Sequence, residues 1–194
     1  VVGCSRTDSG VHAKTYCCNI RTENTIPCRQ LIPALNSALP DDIAVTDCKE
    51  VDFDFHARYD CAAKEYIYII RNSQSRDPFD YKYSLHYKYP LDAQFLAAQA
   101  AQFVGTHDFS AFCASGATVT SKVRTIYSAS VRRDGELVIF SVRGNGFLYN
   151  MVRIMTGTLL DVGVGKMMAK DIPDILESRE RAKAGFDCNN RRSD

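Results

Sequence analysis

IYSASVRRDGELVIFSV, residues 126–142, is the stretch that most strongly constrains the fold of this 194-residue chain. Two β-rich segments, Ile126–Val131 and Leu137–Val142, flank Arg132-Arg133-Asp134-Gly135, and Asp-Gly is a favoured pair in tight hairpin turns. This stretch therefore predicts a β-hairpin within residues 126–147. Ala63–Arg71, which is aromatic and β-branched around Tyr66-Ile-Tyr-Ile-Ile70, predicts a further strand.

The remaining elements follow from the spacing of apolar residues and from capping signals. Four helices are predicted: Cys28–Leu39, Leu91–Val104 with Asp92 as its cap, Phe147–Val162, and Asp171–Arg181. Pro33 predicts that the regular part of the first helix begins only near Leu31. Short strands are predicted at Thr15–Asn19 and Ile43–Val51, and a polar loop at Asn72–Leu85. Because hairpins occur beside alternating strands and helices, we expect an α+β fold, with a mixed or antiparallel sheet and helices packed on one face.

Composition and charge exclude several classes of protein. Lys and Arg number 24 against 23 Asp and Glu, so the net charge of +1 does not by itself indicate a nucleic-acid partner, although a local basic face remains open. The apolar runs fall far short of the ~18 residues that span a bilayer, and no secretory signal is visible. The eight cysteines form no C-x-x-C pair and the four histidines are scattered. We therefore expect no metal site, and mostly buried or incidental thiols in a reducing cytoplasm.

The loop GCSRTDSGVHA, residues 3–13, is the first candidate for chemistry. Its glycines permit tight turns that can hold the Asp8 carboxylate at a cleft. The alternative is an Asx-turn, in which the Asp8 side chain only bonds its own backbone. Composition leaves both interpretations open.

Two further candidates lie in the predicted strand and helix. Tyr66 and Tyr68 are two residues apart on a strand and so point to the same face, where an aromatic ring can stack on a base or pack in the core. Arg153 lies beside the apolar stripe of its helix. Its charge there needs either an anionic partner, whose pKa it would lower, or a path for the head group to solvent.

Basic residues recur along the loops and strand edges, either as a solvated face or as a track for phosphates. They are Arg58, Lys64, Arg71, Lys122, Arg124, Arg132, Arg133 and Arg143.

Several separate segments together resemble one family, the TruA-type tRNA pseudouridine synthases. RTDSGVH at residues 6–12 is similar to that family's R-T-D-x-G-V-H motif, with Ser5 where the family has glycine. DFHARY at 54–59 and YIYII at 66–70 are similar to its F-H-A-R-F and Y-x-Y-x-I stretches. GTHDF at 105–109, RTI at 124–126 and FLYNMVR at 147–153 are similar to its G-x-H-D-F, R-T-I and F-L-x-x-M-V-R blocks.

The resemblance implies a pseudouridine synthase-like fold with a central RNA-binding cleft. It also implies an isomerase that converts uridine to pseudouridine in the tRNA anticodon stem-loop, at tRNA positions 38–40. Asp8 falls on the family's catalytic aspartate, and Arg153 falls on the basic residue that pairs with it. Tyr66 falls on the active-site tyrosine that stacks on the uracil.

The remaining expectations also come from the resemblance. Arg6 and Arg58 would bind the substrate, and Lys64, Lys122 and Arg124 would contact the RNA backbone. We expect tRNA as partner, a homodimer in the cytoplasm, and no cofactor, metal or membrane.

The resemblance further predicts one catalytic domain over residues 1–187 and a polar tail over 188–194. The family's N-terminal segment and its G-L-Y-L motif are not found in the chain. The alternative function is a catalytically impaired RNA-binding remnant of the same family. An Asp-dependent hydrolase is disfavoured because no second carboxylate stands at a useful spacing.

Overall fold

The computed structural model of the chain describes residues 1–8, 10–23, 25–117, 119–168 and 171–188. The chain divides into two units, Val1–Cys61 and Ala62–Asp194. One catalytic domain over residues 1–187 stays a prediction. Residues 189–194 of the predicted polar tail lie outside the described residues.

The first unit contains little regular structure. Strands β1 (Val2–Gly3) and β2 (Cys18–Asn19) form a short antiparallel pair, so the predicted strand at 15–19 is reduced to its last two residues. Helix α1 spans Cys28–Asn36 and contains Pro33. The predicted start near Leu31 is therefore wrong, because one proline costs the helix one donor without preventing its first turn.

The predicted strand at Ile43–Val51 is wrong, and the structure shows why. The backbone of Val45 bonds to the side chain of Asn36, which accepts from its N–H at 2.7 Å and donates to its carbonyl at 3.0 Å. A residue whose backbone groups are already bonded in this way cannot also join a strand ladder. The segment therefore runs as an irregular chain along the end of α1.

The second unit is built on a five-stranded sheet. Its strands are β3 (Lys64–Arg71), β4 (Leu85–His86), β5 (Gly105–Asp108), β6 (Val123–Asp134) and β7 (Leu137–Gly144), in the order β4-β3-β7-β6-β5. Strand β4 is parallel to β3 and the other neighbours are antiparallel, which confirms a mixed sheet. The β6–β7 hairpin is confirmed, with Gly135 in its turn at φ +56°.

Among the described residues, three α-helices accompany this sheet: α2 (Ala93–Ala100), α3 (Met151–Gly163) and α4 (Asp171–Ser178). The predicted Asp92 cap is confirmed, since its carboxylate accepts from the N–H groups of Gln94 and Phe95. Helix α3 starts four residues later than predicted because Asn150 is left-handed at φ 57°. Arg179, at φ 59°, ends α4 before the predicted Arg181.

The hydrophobic core lies in the second unit. Alternate residues of β7, Val138, Phe140 and Val142, share one buried cluster with Leu96 of α2 and Leu160 of α3. Helix α2 packs on β6 and helix α3 on β3. The architecture is α+β, with the core between one face of the sheet and these helices. No helix among the described residues combines the length and the apolarity needed to cross a membrane.

Candidate active site

The loop that carries Asp8 is closed at its base by the β1–β2 pair in the first unit. The N–H of Cys4 donates to the carbonyl of Cys17 at 2.9 Å, which continues the ladder by one residue. At the tip, the N–H of Val11 donates to the backbone carbonyl of Asp8 at 3.1 Å, and Gly10 adopts φ +82°. A backbone carbonyl thus closes the turn, and the Asp8 side chain lies exposed beside it.

Arg58 is joined to the base of the same loop. The side-chain oxygen of Asn19, in β2, accepts from the N–H of Ala57 at 3.0 Å. The N–H of Arg58 contacts Nδ1 of His56 at 3.3 Å, and the His56 ring stacks on Tyr59. Arg58 is half-buried and Arg6 is exposed. The first unit therefore holds Arg6, Asp8 and Arg58 on neighbouring segments.

In the second unit, Tyr66 and Tyr68 lie on the same face of β3, as predicted from their spacing, and this face is the one that packs against the core. Both are half-buried and pack against the core cluster. The Tyr66 ring meets Phe147 edge to face, with centroids 5.0 Å apart and planes at 75°. An edge-to-face contact of this kind fixes the plane of the tyrosine ring. The partial burial is compatible with both roles considered for Tyr66, packing and stacking.

Arg153 lies in the first turn of α3, and 22% of its side chain is exposed. Its Nε is 2.8 Å from Oδ1 of Asp187, and its Nη1 donates to Oδ1 of Asn150 at 3.4 Å. The Asn150 amide in turn donates to Oδ2 of Asp187 at 2.9 Å. Arg153 therefore has an anionic partner instead of extending into solvent. The resemblance predicts Asp8 as the anion that pairs with Arg153, and the contact with Asp187 was not predicted.

A segment at the end of the described chain, residues 184–188, here called the C-terminal strap, passes over α3. Arg153 Nε and the Tyr68 hydroxyl both donate to the carbonyl of Cys188, at 3.0 and 3.3 Å. Burial raises the pKa of the Tyr68 phenol and the pKa of the Cys188 thiol well above their usual ranges. One carbonyl oxygen of the strap thus joins the strand that carries Tyr66 to the helix that carries Arg153.

The three predicted RNA-backbone cations lie at one end of the sheet. Strands β3 and β6 both run antiparallel to β7, so both begin where β7 ends, and Gly144 pairs with Lys64 on one side and Ile126 on the other. Lys64 opens β3, and Lys122 and Arg124 stand at the start of β6; all three are half-buried. Arg124 donates to the carbonyls of Ser121 and Val123, which holds its guanidinium along the strand.

Comparison with known proteins gives consistent results. A family model described as tRNA pseudouridine synthase matches residues 99–191. The tRNA pseudouridine synthase A of Clostridium acetobutylicum is 47% identical over 185 residues, which are 95% of this chain and 76% of that protein. The corresponding protein of a Thermoanaerobacter species is 46% identical, covering 96% and 76%. That of Halalkalibacterium halodurans is 48% identical, covering 95% and 70%.

Proposed function

The chain belongs to the tRNA pseudouridine synthase A family of isomerases, and we propose that it converts uridine to pseudouridine in the anticodon stem-loop of tRNA, at tRNA positions 38–40. The reaction breaks the bond from ribose C1′ to uracil N1, turns the base, and joins C1′ to C5. The proton on C5 leaves to solvent and N1 gains one. Since no atoms or electrons are gained or lost overall, the reaction calls for no redox cofactor.

We assign the nucleophile to Asp8. A carboxylate can attack only when ionised, and a neighbouring guanidinium favours the ionised form. Arg153 is the residue proposed for that role. Asp8 lies exposed on a tight turn, and this position suits a group that must reach a nucleotide. Arg6, two residues before Asp8, is proposed to help displace the base.

Tyr66 is proposed to stack on the uracil and to take part in proton transfer at C5. Its ring is half-buried and oriented by Phe147, so little rotational freedom is lost on binding. Arg58 is proposed to contact the substrate from the first unit.

The target base has to leave the helical stack, which costs a few kcal/mol. Phosphate contacts from Lys64, Lys122 and Arg124 are proposed to offset that cost. The structural observation that carries the proposal is the arrangement of the second unit. Arg153 and the Tyr66 strand are joined through one carbonyl of the strap, in the same unit as these three cations.

The central test is release of tritium from tRNA labelled at C5 of uridine. We expect Asp8→Ala to lower the rate at least about a thousandfold, since loss of a nucleophile removes the covalent route. Asp42→Ala, which removes an exposed carboxylate of the same unit, is the control and should keep the wild-type rate. Equal release by wild type and Asp8→Ala would contradict the proposal. Binding of tRNA without any release would instead indicate the RNA-binding remnant.

The target positions are tested with tRNA transcripts in which U38, U39 and U40 are replaced by cytidine singly and together. Tritium release should fall to background only with the triple replacement. We also propose that the active form is a cytoplasmic homodimer. Light scattering of the chain with and without tRNA measures its stoichiometry, and a monomer in both states would contradict the dimer.

A further inference from the structure

The carboxylate of Asp187 lies against the guanidinium of Arg153 in the second unit. The two charged groups are 2.8 Å apart, and 22% of the Arg153 side chain and 33% of the Asp187 side chain are exposed. Oδ1 of Asp187 is buried and accepts no hydrogen bond from a described residue. Because this oxygen faces the guanidinium, charge attraction, and not a hydrogen bond, offsets the desolvation cost of burying it.

Asn150 completes a closed triangle with this pair. Its side-chain oxygen accepts from Nη1 of Arg153 at 3.4 Å, and its amide donates to Oδ2 of Asp187 at 2.9 Å. The single proton on Arg153 Nε is directed to the carbonyl of Cys188 at 3.0 Å. Two neighbouring residues of the strap therefore hold the Nε side of the guanidinium. Asp187 holds it by charge, and the carbonyl of Cys188 holds it by a hydrogen bond.

The strap is fixed to α3 by contacts that do not depend on Asp187. A Cβ added at Gly157 would collide with the carbonyl of Phe186, so the two backbones are in direct contact. The N–H of Gly185 donates to the Thr158 hydroxyl at 2.9 Å. Removing the charge of residue 187 should therefore leave the strap in place and loosen mainly the guanidinium.

We propose that Asp187 is a positioning residue for the isomerisation, acting through Arg153. A guanidinium is planar and its five donors form a rigid fork, so fixing the Nε side also fixes the direction of the Nη donors. Those donors are the ones that a bidentate carboxylate engages. The inference depends on the proposed function, in which Arg153 keeps the catalytic carboxylate of Asp8 ionised and aligned.

The activity test compares three substitutions that separate charge from shape. Asp187→Asn and Asp187→Ala should lower kcat by about tenfold while KM for tRNA changes by less than about twofold, because misalignment affects the chemical step. Asp187→Glu restores the charge and should bring kcat back to within about threefold of wild type.

Asp80→Asn is the matched control. Asp80 also pairs with an arginine through Nε in the second unit, at 2.6 Å from Arg71, and 24% of its side chain is exposed. If Asp187 stabilises the fold only, the two asparagine variants should lower the melting temperature and the activity alike. We expect kcat to fall only in Asp187→Asn.

A second measurement does not depend on activity. The Nε–H of Arg153 donates to the carbonyl of Cys188, and a guanidinium loosened by the loss of the Asp187 charge should form this bond less completely. Its signal in a nitrogen-15 NMR spectrum, identified by its loss in Arg153→Lys, should therefore be sharp in the wild type and broadened by solvent exchange in Asp187→Asn. An unchanged signal in Asp187→Asn would overturn the proposal whether or not the chain is active. So would a wild-type kcat in Asp187→Asn, or an increase, which would mean that Asp187 competes with Asp8.

The two proposals can fail separately. If the wild type releases no tritium while the Arg153 signal still depends on Asp187, the proposed function has failed and the anchoring of the guanidinium stands. If tritium release depends on Asp8 and not on Asp187, the proposed function stands and the positioning role is overturned.

Discussion

The first unit, residues 1–61, and the second unit, residues 62–194, differ sharply in how much apolar surface they bury. Among the described residues of the first unit, Ala57 is the only buried hydrophobic residue, and α1 buries none of its side chains. The core cluster belongs entirely to the second unit, from Ile70 to Cys188. The proposed nucleophile, Asp8, thus stands on the weakly packed unit, and Tyr66 and Arg153 stand on the well-packed one.

This difference suits the tasks that are proposed for the residues of each unit. Orientation of a guanidinium or an aromatic ring needs a scaffold whose own side chains are locked by packing. The second unit provides this through Phe147, Asn150 and the strap. A loop that has to admit and release a nucleotide can be less tightly held, and such segments are drawn from the low-stability part of a protein.

The largest expected effect is in amide hydrogen exchange. Amides of β7 and α3 should exchange at least about a thousandfold more slowly than those of α1, because opening the core requires nearly global unfolding whereas α1 opens locally. Exchange followed by mass spectrometry on peptides of the free chain measures this difference. Similar protection in α1 and β7 would remove the contrast between the units.

A pair of cavity substitutions sharpens the comparison. Phe140→Ala removes a side chain that is 1% exposed at the centre of the sheet, and should lower the free energy of unfolding by about 4 kcal/mol. Leu35→Ala in α1, where the side chain is 38% exposed, should cost less than about 1 kcal/mol. Urea denaturation followed by circular dichroism gives both values. Equal losses of unfolding free energy would mean that α1 is packed as tightly as the sheet.

The smallest expected effect is a loss of stability at high pH that originates in the second unit. Burial, and next the nearby Asp161 carboxylate, raise the pKa of Tyr87 to about 12 from its ordinary value of 10. Because the pKa is raised in the folded state, the stability that the neutral Tyr87 phenol contributes is complete below pH 10 and is lost as the pH rises through 12. The buried phenol of Tyr68 shifts in the same direction.

Urea midpoints at about pH 9 and about pH 11.5 measure this loss. Tyr87→Phe should show a smaller drop between the two values than the wild type, since it has no phenol to ionise. An identical drop in the two proteins would assign the effect to other groups.

Much of the second unit could be predicted from sequence because its signals are local. The Asp-Gly turn and the β-rich runs of 126–142 specify the hairpin wherever it lies in a fold, and Asp92 caps α2 through its own neighbours. The motif residues of the candidate site were likewise found by resemblance, in short runs such as 6–12 and 147–153. Their proposed roles stay predictions until the substitutions above are measured.

Other features depend on partners that are distant in sequence. Strand β5 was not predicted, because its four residues become a strand only by pairing with β6. The segment at 43–51 has a suitable composition for a strand, and Asn36 occupies the backbone groups of Val45 instead. Local propensity does not show which distant group forms hydrogen bonds with the backbone of a given segment.

By itself, the sequence determined the hairpin, the helix-forming segments and the family, and it supplied the residues of the proposed site, since these follow from short-range patterns and from matching motifs. It also indicated that a charge such as that of Arg153 next to an apolar stripe needs either a counter-ion or a path for the head group to solvent. Only the tertiary structure decided that Asp187 and Asn150 contact the guanidinium of Arg153. It also decided that Arg153 and Tyr68 donate to the same carbonyl of the strap. Contacts of this kind depend on how the end of the chain folds back over α3, which no local pattern encodes.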